Sequence, residues 1–131
     1  MDTAANRDIQ INEVPEHTVE IITNSGEGAQ KCAQIFGATC AKMGNGVWTV
    51  EIIPAEIEPP HHTVTSTSGN IIRFGTQKIT NWGDQSKLAI AFNDQVLLSR
   101  HRLDSLRDDC IILLEAAWEK SEDEELRRMY D

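Results

Sequence analysis

Asn24-Ser25-Gly26-Glu27-Gly28 ends a β-type apolar run, Val19 to Thr23, and opens onto a helical pattern. A strand, glycines and a helix start place free backbone N–H groups where a phosphate or carboxylate is favoured, by about 0.3–1 kcal/mol for an exposed anion. Asn24, Ser25, Gly26 and Gly28 are therefore the candidate cofactor-binding residues. The stretch is not GxGxxG, because position 31 is Lys, and it lacks the Gly-Lys-Ser of a phosphate loop. Glu27 also puts a negative charge where an anion would sit. The competing reading is that the glycines only turn the chain and let the helix approach its strand, with a Cβ at Gly28 expected to clash or to force an unfavourable φ.

Other residues with chemical potential are dispersed. Glu56 and Glu58 lie two apart in a loop-like stretch and read as solvated acids rather than an acid-base pair, and Glu122 to Glu125 reads as the solvated face of a helix. Cys32, Cys40 and Cys110 form no CxxC pair and sit on segments that look buried, so they read as structural thiols. A reactive cysteine would need a base beside it, and His17 and His101 are the candidates. His61 and His62 are adjacent, which on an extended chain points them to opposite sides and opposes a shared zinc ion. No residue set forms a catalytic signature or a metal site.

The elements that must hold these residues follow from periodicity. Ala29, Cys32, Ala33, Phe36, Cys40 and Met43 recur at spacings of three and four, which predicts an amphipathic helix ending near Met43 with Gly44 as its left-handed stop. Val47 to Ile53 and Leu88 to Phe92 are nearly continuous apolar runs, as in strands covered on both faces. Pro54 to Asn70 is rich in Pro, Ser and Thr and reads as irregular, followed by short strands at Ile71–Phe74 and Lys78–Thr80 and a turn at Trp82-Gly83-Asp84. Asp94 predicts the cap of a helix reaching about Leu106, and Cys110 to Leu114 a last strand. Ser121 and Glu124 form a capping-box pattern for a final helix that runs to the chain end and looks cut short. These alternations predict an α/β three-layer sandwich with a mostly parallel sheet: residues 1–18 as a polar arm and 19–131 as one domain.

The 131 residues carry 40% hydrophobic and 25% charged side chains, a globular composition. Twelve basic against twenty-one acidic residues give a net charge of -9, which opposes nucleic acid and anionic membrane surfaces as partners. With no signal-like start and no run long enough to span a bilayer, the expected location is the cytoplasm.

Several stretches together, in order over residues 19–131, resemble the gamma-type domain of 2-oxoacid:ferredoxin oxidoreductases, in the form found at the start of the long alpha subunit. They are NSGEGAQKCAQIFGATCAKMG from Asn24, PAEI at 54–57, IIRFG at 71–75, LAIAFNDQVL at 88–97 and the ending LLEAAWEKSEDEELRRMYD. The resemblance implies an enzyme that converts a 2-oxoacid such as pyruvate or 2-oxoglutarate and coenzyme A to an acyl-coenzyme A and carbon dioxide, passing electrons to ferredoxin. It implies that thiamine diphosphate, magnesium and iron–sulfur clusters are held by other domains or subunits. This chain's part is then structural and coenzyme-A-facing, and not catalytic alone. The isolated domain, short of its partners, could form a homodimer. One departure is plain: where the family commonly has Arg-Gly-Gly, this chain reads Glu58-Pro59-Pro60-His61-His62, so no anion contact by that arginine carries over. The alternative is a freestanding nucleotide- or phosphate-binding α/β module.

Overall fold

A computed structural model describes residues 9–24, 28–53, 67–116, 120, 122 and 124. Residues 54–66, with Glu56, Glu58, His61 and His62, and most of the final helical pattern lie outside the described residues. Five strands and two helices follow in the order β1 (Glu16–Asn24), α1 (Ala29–Lys42), β2 (Gly46–Ile52), β3 (Thr67–Gly75), β4 (Ser86–Ala91), α2 (Asp94–Arg102) and β5 (Leu106–Leu114). The strands form one sheet in the order β2-β3-β1-β4-β5.

β1 pairs with β4 and β4 with β5 in parallel, while β3 runs antiparallel to both β1 and β2. Four strands therefore point one way and β3 alone is reversed. The expected α/β sandwich is observed, and the four strands expected to be parallel do share a direction. Ile21 and Ile22 are neighbours in β1 and so face opposite sides of the sheet. Ile21, with Val19 and Ile72, meets Ala29 and Ala33 of α1, whereas Ile22, with Ala91, meets Val96 of α2. The two helices thus cover opposite faces, giving three layers.

Several boundaries differ from the sequence reading. β1 starts at Glu16, so the last three residues assigned to the arm are strand, paired with Arg73, Phe74 and Gly75. β3 is nine residues long rather than four, because Thr67-Ser68-Gly69-Asn70 is not a turn but a buried strand. Gly69 is required there: a Cβ would collide with the Ile21 carbonyl oxygen of the neighbouring strand. β2 is an edge strand with Trp48, Thr49 and Glu51 exposed, so it is not covered on both faces as expected, and β5 forms the other edge. Lys78–Thr80 is not a strand. α2 is capped by Asn93, whose side chain accepts from Val96 N at 3.0 Å, and it ends at Arg102 because Leu106 has already joined β5. α1 ends where expected, before Gly44 at φ 91°.

Glu20 sits in the middle of β1 with 0% exposure. Arg100 from the last turn of α2 donates to both its oxygens, Nε to Oε1 at 3.1 Å and Nη2 to Oε2 at 3.2 Å, and the Ser86 hydroxyl donates to Oε2 at 2.8 Å. Removing one partner of such a pair strands the other charge, at a cost of about 3–5 kcal/mol, whereas replacing both by apolar groups is often neutral. Arg100→Met should lower unfolding stability in urea by about that amount, and Glu20→Met combined with Arg100→Met should recover most of it. A loss below about 1 kcal/mol in the single variant would mean that water reaches Glu20.

Candidate functional site

The strand–glycine–helix junction stands at the carboxyl end of β1. Asn24 is half-buried and pairs with Thr67 of β3. Ser25, Gly26 and Glu27 lie outside the described residues. Gly28 is the N-cap of α1 at φ 84°, ψ 8°, a left-handed conformation that disfavours any side chain. The expected clash is absent, since a Cβ at Gly28 meets nothing within 4 Å; only the backbone angle demands glycine. Among the described residues no side chain caps this helix, and no acidic residue lies in its first turn. The first amides of a helix have no intrahelical partners, so those of α1 stand at an open, exposed glycine, as an anion site requires. The buried stripe Ala29, Ala33, Gly37 and Cys40 presses α1 onto the sheet, and Phe36 packs edge-on against Phe74 at 5.6 Å.

The cysteines do not converge. Cys32 is exposed, contrary to the buried position expected, because the seam of α1 runs through small residues rather than through positions 32 and 43. Cys40 is buried under α1 and Cys110 is half-buried on β5. Burial pushes the thiols of Cys40 and Cys110 above the usual range, and the nearby Glu20 carboxylate adds to the effect at Cys110. His101 and Cys110 line one groove of about 290 Å³, but the Cys110 thiol donates to the Ile111 carbonyl at 3.5 Å and no hydrogen bond joins it to His101. His17 stacks instead on Phe74. Among the described residues no cluster of His, Cys, Asp or Glu could hold a metal, so these residues do not fit an iron–sulfur cluster or a magnesium site.

A polar basin of about 700 Å³ opens at the other end of the sheet, lined in part by Arg73, Lys87 and Arg107 with Glu16, Asp84 and Trp82. Glu16 clamps Arg73 at 2.7 Å and Asn81 accepts from it at 2.6 Å, while Asp109 holds Arg107 at 2.8 Å. Glu16 and Asp109 each pair one of these cations, and with Asp84 three carboxylates stand against three cations, so the basin has no charge surplus for an anion. Sequence reasoning missed both this basin and the Glu20–Arg100 pair. The basin draws on four separate segments, and no local pattern joins them. Glu20 did carry a signal, since a carboxylate inside an apolar strand that is covered on both faces has to be paired.

No family model matches the chain, and no curated protein sequence does. Solved structures do share its fold, among them the following three. A 2-oxoglutarate:ferredoxin oxidoreductase from Magnetococcus marinus, with 2-oxoglutarate, coenzyme A and succinyl-CoA bound, matches 87% of this chain and 18% of its own at 21% identity and a TM-score of 0.67. A pyruvate oxidoreductase subunit from Thermotoga maritima matches 88% of this chain and 57% of its own at 16% identity and a TM-score of 0.57. The gamma subunit of a keto/oxoacid ferredoxin oxidoreductase from Geobacter sulfurreducens matches 77% of this chain and 51% of its own at 10% identity and a TM-score of 0.56. The chain therefore has the gamma-type fold of these oxidoreductases and spans 18% to 57% of the chains it matches.

Two outcomes check the site. Gly28→Val should cost on the order of 1–3 kcal/mol of stability through its positive φ alone, read by urea unfolding. Thiol labelling of the folded chain should modify Cys32 first and Cys40 and Cys110 only slowly; equal rates would mean that the sheet opens readily.

Proposed function

We propose that this chain is a structural, coenzyme-A-facing domain of a 2-oxoacid:ferredoxin oxidoreductase that oxidatively decarboxylates a 2-oxoacid to an acyl-coenzyme A in the cytoplasm. The observation that carries the reading is the match of 87% of the chain to one domain-sized part of an enzyme with coenzyme A bound. Asn24, Ser25, Gly26 and Gly28, with the uncapped amides of α1, are the groups that would meet an anionic part of coenzyme A. Thiamine diphosphate, magnesium and the iron–sulfur cluster fall to other subunits or domains, in keeping with the dispersed cysteines, and ferredoxin is the electron partner of the complex as a whole.

The sheet also supports a life in a larger assembly. α1 lies over β1, β2 and β3. On that same face β4 and β5 carry Leu88 and Ile90, half-buried, beside Ile111 and Leu113, which are 62% and 54% exposed. No described helix covers this row, and contiguous exposed apolar surface marks an interaction site. Among the described residues no helix is long and apolar enough to cross a membrane.

Tagged chain expressed in its source cell and recovered under mild conditions should bring down thiamine-diphosphate-binding subunits. The recovered material should reduce ferredoxin only when a 2-oxoacid and coenzyme A are both supplied. Recovery of the chain without such subunits would contradict the reading.

A further inference from the structure

Buried side-chain polar atoms without a hydrogen-bond partner are rare in folded proteins, and each calls for an explanation. Among the described residues they are Nδ1 of His17, Oδ1 of Asn70, Nδ2 of Asn93 and Oδ2 of Asp94. His17 lies at the amino end of β1. The other three lie toward its carboxyl end. Asn70 is 3% exposed and stands in β3 opposite Ile21. Alternate residues of a strand share a face, so Asn70 faces α1 as Ile72 does. A side chain at Gly37 would meet Ile72 at 3.9 Å, and Asn70 lies two residues, about 7 Å, nearer the start of α1. That places it beneath the first two turns of the helix. Ala29 and Ala33, which press on this part of the sheet, offer it no polar side chain.

Asn93 and Asp94 sit at the start of α2. Phe92 N donates to the Ile22 carbonyl at 3.0 Å, so this start abuts the end of β1. Asn93 uses its Oδ1 to cap Val96 N, which leaves its side-chain amide donor over. β1 and β4 are adjacent parallel strands whose helices leave to opposite faces, which makes the place between them the switch point where open α/β sheets hold ligands. From β3 across β1 to β4 is two strand spacings, about 10 Å. That span suits an extended chain of polar groups rather than a single ion.

We infer that Asn70, Asn93 and Asp94 take the hydroxyl- and amide-bearing part of coenzyme A, whose phosphates lie at the first amides of α1. Two orphan oxygens require donors and one orphan amide requires an acceptor. A fully ionised phosphate offers acceptors only, whereas hydroxyl and amide groups offer both. The inference rests on the coenzyme-A-facing reading of the α1 start and adds to it the groups that tell coenzyme A from a bare anion. Free of ligand, these atoms stay buried and unpaired, which a fold tolerates at a site built for something else to complete.

Nuclear magnetic resonance titration of the full chain, with coenzyme A and inorganic phosphate as separate probes, tests it. Coenzyme A should shift the side-chain amide signals of Asn70 and Asn93 together with the backbone amides of Ala29 to Lys31, and phosphate should shift the backbone amides alone. Asn93→Ser keeps a capping oxygen for α2 but loses the side-chain amide. It should weaken coenzyme A binding about tenfold while phosphate binding and the urea midpoint stay unchanged. Coenzyme A that moves the backbone amides but neither side-chain amide, or that moves no signal, overturns the inference. So does an Asn93→Ser chain that binds coenzyme A as before. Recovery of thiamine-diphosphate-binding subunits with the chain is independent of these signals, so the oxidoreductase reading and this inference can fail separately.

Discussion

One buried carboxylate organises this domain. Glu20 lies on the central strand, hydrogen-bonded into the sheet on both sides, and a charge there costs several kcal/mol unless it is fully paired. Its donors come from Ser86 and Arg100, 66 and 80 residues along the chain, so satisfying it fixes both the start of β4 and the last turn of α2 against β1. The basic residues Arg100, His101 and Arg102 also suit the negative end of α2. α1 is held differently, by a seam of small side chains that lets the helix sit close to β1 and β3. One helix is placed by a specific polar contact and the other by shape.

That division has functional consequences. Polar pairing of Glu20 stabilises the β1–β4–β5 half only under α2, and the opposite side of β4 and β5 stays apolar and open. The reversed strand β3 extends the sheet the other way under α1, and the glycine junction between β1 and α1 stands at the carboxyl end of β1. In open α/β sheets that end is where ligands bind. In the basin at the amino ends Arg73 and Arg107 are instead held in ion pairs with Glu16 and Asp109. The proposed ligand site and the exposed apolar row therefore occupy different parts of one small sheet.

How much of this the sequence showed depends on whether the cause was local. Strands β1, β2, β4 and β5, helix α1 and its stop at Gly44 follow from periodicity and from one glycine, and they were legible. β3 was only half legible: Thr67-Ser68-Gly69-Asn70 has the composition of a turn, and its burial is decided by strands on either side that no local pattern reveals. The edge position of β2, outside β3, depends on that same insertion. At the candidate site, the need for glycine at Gly28 was legible as a clash or an unfavourable φ, and coordinates were required to show that the backbone angle and not a clash is the reason. Cys32 was misplaced because a three-four spacing cannot say which of two adjacent stripes faces the sheet.

The central functional claim is that the uncapped start of α1 faces coenzyme A within an assembled oxidoreductase. Amide hydrogen exchange on that assembly, with and without coenzyme A, tests it most directly. The account predicts that coenzyme A slows exchange in the peptide spanning Gly28 to Cys32 while the peptide spanning Ile111 to Leu114 is unchanged. Slowing confined to other subunits, with Gly28 to Cys32 exchanging as before, would contradict it.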